Sequence, residues 1–534
     1  MMLSPRNAKY LANFTIFNRD PDMTWDDADF TVAKMLQECI GDRIRRVERL
    51  GSWIRWCGHC WREIDSIEPE MDSVLTAMDS YIKNFVKDLH KNPQSMAQQY
   101  RQWKNVPADF PTEMAAKNLE DLINVDRAIL SKIKNNAGRN AVRTLLGQYL
   151  TVNPEDLDRN TDMIVFRNGC YNARTGEFGP NDPLQLATLG IDLEYAPPDD
   201  ESRANLQSYL HGLGFDGTTI KFLQRSFGYA LTGRGTEKRF WWFRGETNTS
   251  KTTLIELVYQ CSGHYGSTSM CELWQDSKSM ATGHQEDLAR LRGKRLVTAH
   301  EFKKNSRFDD AKMKRMTSGT GSINASRKGE KSIEFQCTFG LFFSSNYDAQ
   351  IAEDDVALHQ RLTTLTFTVP ISEDIKDPQF VANFLARGDN KLAMIEWLLE
   401  GAREYCAEGL GPEPQQVRES RKEFMEQQVT ITEQLSELLQ SDPGAVGTKR
   451  MRLTEVLSAL EDHQKATRQR CQYSRTEVIR AVTKQFACQF SKSNGISGFD
   501  GVKLRAGVNR QRNQGPHIDT RLDWVDEQFD PFQN

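Results

Sequence analysis

The sequence predicts a multidomain α/β protein: a mixed N-terminal accessory region, a central domain of alternating strands and helices, and a mainly helical C-terminal domain. Three observations support this division. The 534 residues exceed what one hydrophobic core serves, so two to four domains are expected. The middle of the chain alternates apolar, strand-like runs with amphipathic helical ones, as layered α/β domains do. Past the proline-bearing link "GLGPEPQQ", Gly409–Gln416, the sequence turns polar and helical, which marks a boundary. The expected order is a loosely held leader over 1–23, the accessory domain over 24–200, the central domain over 201–408 and the C-terminal domain over 417–534.

The bulk properties exclude several classes. A net charge of -4 argues against a wholly electrostatic nucleic-acid coat, though local basic patches remain open. Ten cysteines lie without framework spacing, and "MMLSPRNAKY" lacks the apolar core of a signal peptide, so a reducing, cytoplasmic setting is expected. Apolar runs such as "FGLFF" at 339–343 are far shorter than a membrane span, and no membrane association is expected.

The accessory region holds a conspicuous string, WCGHC, within "GSWIRWCGHCWREID", Gly51–Asp65. Redox chemistry at a Cys-x-x-Cys motif needs an exposed first thiol of lowered pKa at a helix N-terminus, and no helical repeat follows Cys60. Zinc needs four ligands, and no second pair accompanies Cys57, His59 and Cys60. The alternation of Trp53, Trp56 and Trp61 predicts an aromatic hairpin turning at Gly58 instead. The region closes in the turn-rich "RNGCYNARTGEFGPNDP".

In the central domain, "RFWWFRGETNTSKTTLIELV" places an apolar strand, a loop and a helix in P-loop order. The loop and helix start comprise Gly245, Glu246, Thr247, Asn248, Thr249, Ser250, Lys251, Thr252 and Thr253. Backbone N–H groups and the helix dipole can hold the phosphates of ATP, Lys251 can reach the β and γ phosphates, and Thr252 can ligate Mg²⁺. Ser250 stands in the slot where G-x-x-x-x-G-K-[ST] has its second glycine.

Three features downstream bear on that motif. "GKRLVTAHEF" predicts a strand ending at Glu301, an acid placed to polarise water or support Mg²⁺, with His300 where many such enzymes carry Asp. "FGLFFSSN" carries a strand into Asn346, which reads either as a γ-phosphate sensor or as a plain turn residue. "DVALHQRLTTLTF" sets Arg361 before another apolar strand, as an arginine finger toward a neighbouring subunit or as a surface arginine.

This order of motifs resembles superfamily 3 helicases, and more narrowly the phage and plasmid primase-helicases related to poxvirus helicase-primases. The likeness extends to "FLQRSFGYALTGRGTEK", "DLARLRGKRLVTAHE", "KMKRMTSGTGSINASRK" and "FRNGCYNARTGEFGPNDP", and covers most of residues 24–405. It implies an AAA+-type P-loop core, catalytic roles for Lys251, Glu301, Asn346 and Arg361, Mg²⁺ at Thr252 and Glu301, and a homo-hexameric ring with ATP at the subunit interfaces. "INASRKGEKSIEF" reads as two strands around Gly329, and the resemblance makes Arg327, Lys328 and Lys331 at its tip the DNA contacts in the channel.

On this reading the chain is a replicative helicase moving single-stranded or forked DNA through a ring, with a primase and a polymerase as possible replisome partners. The alternative is an ATP-switched, DNA-binding initiator or loader without processive unwinding, and Ser250 is the residue on which the two divide. The tail resembles the family's winged-helix region: "RLTEVLSALEDH" and "SRTEVIRAVTKQF" have helical spacing, and "GVKLRAGVNRQRN" reads as a basic wing. Primer synthesis is not expected, since no paired acids with a histidine occupy a long N-terminal region; "DADF", Asp27–Phe30, is a stray pair.

Overall fold

The computed structural model describes residues 28–48, 51–276, 283–303, 306–319, 321–325, 333–351, 355–372, 376–426, 431–445, 450–466, 473, 475–493 and 496–505. The predicted leader, the tip with Arg327, Lys328 and Lys331, and most of the predicted basic wing lie outside these residues. No helix among the described residues is long and apolar enough to cross a membrane.

The chain divides into two compact units, one ending at Gln427 and the other built from 428 onward with Asn305–Arg307. The boundary therefore falls beyond the Gly409–Gln416 link. Helices α1 (Ala28–Ile40), α2 (Glu68–Lys91), α3 (Pro93–Lys104), α4 (Thr112–Ile133) and α5 (Asn136–Tyr149) open the first unit around one apolar core that includes Leu36, Val74, Leu119 and Val142. A four-stranded sheet, ordered β3-β2-β1-β4, joins them: β1 (Ile44–Val47), β2 (Trp53–Trp56), β3 (Trp61–Ile64) and β4 (Thr151–Val152). The expected hairpin is present, with Trp56 opposite Trp61 and Gly58 in the turn at φ 98°.

The next strands, β5 (Met163–Phe166), β6 (Gly169–Asn172) and β7 (Phe178–Gly179), pack into the central domain, so a division at 200 does not separate two cores. Ile164, Phe166 and Ile191 share a core with Phe227, Leu254 and Phe342. Helices α6 (Asp200–Gly212) and α7 (Gly217–Thr232) follow, each started by an aspartate cap, Asp199 and Asp216, accepting from the amide three residues on.

The centre of the unit is a parallel five-stranded sheet: β8 (Phe240–Arg244), β9 (Gly266–Thr268), β10 (Leu296–His300), β13 (Gly340–Ser345) and β14 (Leu362–Thr366). In space the order is β14-β8-β13-β10-β9. Parallel sheets are covered on both faces, which is why "FWWF" and "GLFF" read as unbroken apolar runs. Trp241, Phe243 and Phe342 enter one core, whereas Phe240, Trp242 and Phe343 enter the other. Helix α8 (Lys251–Cys261) follows β8, and α9 (Gly283–Arg290) precedes β10. Between β10 and β13 the chain forms α10 (Asp310–Met316) and an antiparallel hairpin of β11 (Ser322–Ala325) and β12 (Ile333–Gln336).

Helix α11 (Val356–Arg361) leads into β14, and α12 (Phe380–Ala386) and α13 (Asn390–Glu408) complete the layer beside α7. Helix α14 (Gln415–Glu426) belongs to this unit because Val417, Ser420 and Phe424 form its buried side. Ser420 Oγ lies 2.8 Å from both Thr364 Oγ1 and Thr366 Oγ1 of β14, and Arg421 donates to Leu362 O at 2.9 Å.

The second unit runs α15 (Ile431–Leu438), β15 (Leu439–Ser441), β16 (Met451–Arg452), α16 (Leu453–Ala466), α17 (Arg475–Phe486), β17 (Gln489–Ser493), β18 (Ile496–Asp500) and β19 (Val502–Leu504). Both predicted helices are present. Val502–Leu504, the start of the predicted wing, instead pairs with β15, and the hairpin β17–β18 before it is joined by β16 in a three-stranded sheet.

Candidate functional site

Strand β8 delivers the chain to Gly245, whose φ of 137° and position against the neighbouring backbone exclude a side chain: a Cβ there would lie 2.3 Å from Phe367 O. The loop then bends through Asn248 and Ser250, both at φ 63°. Ser250 sits in the left-handed region immediately before α8, which is the physical reason that glycine suits this slot. The loop is tied to the segment after β14, since Phe367 N donates to Arg244 O and Ile371 N to Asn248 O, each at 2.8 Å.

Lys251, the first residue of α8, is buried at 5% exposure. Its ammonium donates to Glu246 O and, at 3.1 Å, to Thr249 Oγ1, so it sits inside the loop. Burial lowers its pKa below the usual lysine value. Thr252 is exposed beside it, at a helix start whose first amides have no intrahelical partner.

Because the sheet is parallel, the ends of β8, β10 and β13 share one edge. The register sets Ser345 beside Arg244 and His300 beside Ser344, so Gly245, Asn346 and Glu301 emerge from three adjacent strands. Neighbouring strands lie about 4.8 Å apart, and open α/β sheets bind ligands outside these carboxyl ends. Glu301 and Asn346 are exposed there. Glu301 has φ 64° and donates its amide to Ser344 O at 3.2 Å.

One link joins the helix to the strands. Ser344 Oγ lies 3.1 Å from Thr252 Oγ1 and 2.7 Å from His300 Nδ1. Sequence reasoning noted His300 only as a departure and gave Ser344 no role; the signal was the polar ending of two otherwise apolar strands. The imidazole is held below the ordinary histidine value, chiefly by burial. Its Nε2 is buried without a hydrogen-bond partner among the described residues.

The donor set can be tested for Mg²⁺. A threonine hydroxyl and a carboxylate are hard oxygen ligands, and Mg²⁺ is characteristically held by one or two such groups together with phosphate oxygens. Among the described residues no cluster of three or more His, Cys, Asp or Glu could hold a metal unaided. Thr252 and Glu301 therefore fit a Mg²⁺ that arrives with phosphate oxygens.

Arg361 is not part of this edge. It precedes β14, and Leu362 pairs with Phe240 while Thr366 pairs with Arg244, which sets Arg361 at the opposite end of the sheet. Five strand residues at about 3.3 Å each separate those ends by roughly 16 Å. Its Nη1 donates to Lys314 O at 2.9 Å, Thr317 O at 2.8 Å and Thr317 Oγ1 at 2.9 Å, capping the end of α10.

The WCGHC turn is a packing element. Cys57 is exposed, whereas Cys60 is fully buried against Val165 and Cys170, and both are free thiols. Burial pushes the Cys60 thiol up to about 11. Trp61 donates its amide to Ala187 O and its indole to Pro183 O, His59 Nε2 lies 3.0 Å from Asp192, and Arg62 reaches His264 Nδ1 at 3.0 Å.

Residues 33–212 match the family model described as "D5 N terminal like", and residues 243–361 match "Family of unknown function (DUF5906)". The putative helicase L207/L206 of Acanthamoeba polyphaga mimivirus is 23% identical over 322 residues, 59% of this chain and 32% of that protein. The putative helicase V13 of Sputnik virophage is 24% identical over 271 residues, 48% of this chain and 34% of that protein. The chain thus spans about a third of the length of these curated relatives. Among solved structures, the apo NrS-1 C-terminal region aligns at a TM-score of 0.36 and 14% identity, over 61% of this chain and 81% of that one. The N-terminal match and the two helicase-named viral relatives make the chain similar to viral primase-helicases.

Proposed function

We propose that the chain is an ATP-driven replicative DNA helicase of the superfamily 3, AAA+-type kind, moving single-stranded DNA through a homo-hexameric ring. The observation that carries this is the convergence of a buried lysine at a helix start with Thr252, Glu301 and Asn346 on one edge of a parallel sheet. Amides from Gly245 to Thr253 cradle the phosphates, and Lys251 exchanges its two loop contacts for phosphate oxygens. Thr252 and Glu301 would hold the Mg²⁺ that binds with ATP, which would supply charge neutralisation. Glu301 orients the attacking water, and Asn346 accepts its place beside the γ phosphate from the strand next to the loop.

Arg361 fits a role in trans. It stands at the far end of its own sheet, so it serves a neighbouring subunit's nucleotide or none. The strand pair β11–β12 leaves the sheet between Glu301 and Asn346 and carries Arg327, Lys328 and Lys331, the proposed grip on the DNA backbone. Primase and polymerase are the partners such a motor would work beside. The test is strand displacement on a forked duplex: ATP-dependent unwinding that is lost in Lys251→Ala is expected, and ATP hydrolysis without unwinding in full rings would overturn the helicase reading.

A second reading, an ATP-switched initiator or loader, is favoured by Ser250, whose left-handed backbone places strain in the phosphate loop. Tight ATP binding with no hydrolysis on single-stranded DNA would establish it.

A further inference from the structure

The geometry points to His300 as a positioning residue that sets the direction of the Thr252 hydroxyl through Ser344. This rests on the phosphate-site reading above and names a residue whose side chain touches neither phosphate nor metal in that reading. Three side chains form a row from the sheet to the helix: His300 Nδ1, Ser344 Oγ at 2.7 Å, and Thr252 Oγ1 at a further 3.1 Å. Each hydroxyl has one proton to give and two lone pairs to accept with. A threonine that ligates a cation must turn its lone pairs outward and give its proton away.

Only one direction of the row does this. Thr252 O–H donates to Ser344 Oγ, Ser344 O–H donates to His300 Nδ1, and the imidazole carries its proton on Nε2. In the reverse direction Nδ1–H donates to Ser344, Ser344 donates to Thr252, and the threonine proton faces the phosphates with one lone pair already used. Ser344 is 1% exposed, so no solvent can replace the acceptor that His300 provides.

The two ring nitrogens can be told apart by substitution. An asparagine places its amide oxygen near the position of Nδ1, whereas a glutamine places it near Nε2. His300→Asn should therefore preserve the row, and His300→Ala, His300→Gln and Ser344→Ala should break it. The measurement is the affinity of the full-length protein for a fluorescent ADP analogue, titrated with and without Mg²⁺. Loss of one oriented hydroxyl corresponds to about a fivefold drop in the Mg²⁺-dependent gain in affinity. Affinity without Mg²⁺ should stay at the wild-type level in all four variants, which also shows that the loop is folded. Half-saturating Mg²⁺ for ATP hydrolysis should rise in parallel, with KM for Mg-ATP little changed at saturating metal.

A wild-type Mg²⁺ gain in His300→Ala, or a His300→Asn variant as impaired as the alanine, overturns the positioning role. A wild-type protein whose ADP affinity ignores Mg²⁺ overturns the phosphate-site reading itself, and the two failures are thereby distinct.

Discussion

Ser250→Gly should stabilise the protein, and the size of the effect follows from the loop. Ser250 holds φ 63° and ψ 7°, and its side chain makes no capping bond to α8, so the substitution removes no hydrogen bond there. A left-handed conformation costs an L-residue about 1–2 kcal/mol and glycine almost nothing. Against this, glycine gives the unfolded chain extra freedom worth about 0.4–1 kcal/mol. The net gain is about 0.5–1 kcal/mol, which raises the midpoint of a unit that runs to Gln427 by only about 1 °C. Ser250→Val should move the other way, because a β-branched side chain tolerates positive φ least. The assay is thermal unfolding of the full chain by calorimetry, following the transition that ADP shifts. Equal midpoints for glycine and valine variants, or a glycine variant less stable than wild type, would refute the assignment of strain to this position. ATP affinity should change little, since the substitution removes no side-chain bond at the start of α8.

Arg361→Ala should retain ATP binding and lose hydrolysis by about 10³ or more if the guanidinium acts on a neighbour; mixing with Lys251→Ala subunits should then restore part of the activity, and no recovery in exchanging rings would leave only the capping of α10. Lys328→Ala with Lys331→Ala should weaken single-strand binding and flatten its salt dependence while sparing basal hydrolysis, and normal unwinding by that variant would reassign the DNA contact to the C-terminal unit. Iodoacetamide at pH 8 should label Cys57 well before Cys60, whose thiol burial holds near 11; Cys60→Ala should be tolerated better than Cys60→Ser, and stoichiometric zinc would contradict the packing role. Asp162 is pulled up by burial but pulled further down by hydrogen bonds from Arg234 and Arg174, so its pKa is lowered on balance. Its contribution is present above the usual carboxylate range and lost as pH falls through the lowered value. Asp162→Asn should therefore be less stable than wild type at pH 7 and converge with it in acid, and a constant gap in urea unfolding would show that its charge is immaterial.

What could be read in advance divides by the range of the interactions. The strand, loop and helix around Lys251 and the aromatic hairpin around Gly58 were legible because each is closed by neighbours in sequence. The polar endings of β10 and β13 gave Glu301 and Asn346, and a parallel sheet then forces both onto the edge of the loop. Ser344 was not legible as a link, since only the pairing of β13 with β8 and β10 brings it between His300 and Thr252. Helix α14 was assigned to the tail because its composition is polar; its narrow buried stripe, Val417, Ser420 and Phe424, becomes meaningful only against β14. The stretch "RNGCYNARTGEFGPNDP", Arg167–Pro183, reads as turn-rich, and the apolar residues in and around it are too few to announce a shared core.

That last segment governs how the protein can be shortened. Tyr265 accepts Val165 N at 3.0 Å and donates to Leu189 O at 3.2 Å, while Arg295 donates to Met163 O at 3.0 Å with its guanidinium 4.1 Å from the Tyr265 ring centroid. Arg295 is 4% exposed and Tyr265 1%. A fragment cut at 201 would strip Arg295 and Tyr265 of their acceptors at Met163 and Leu189 and would bare the apolar surface that Ile164 and Ile191 cover. Such a piece should aggregate on expression, whereas one beginning near 154 keeps these contacts and is the smaller unit with a prospect of crystallising.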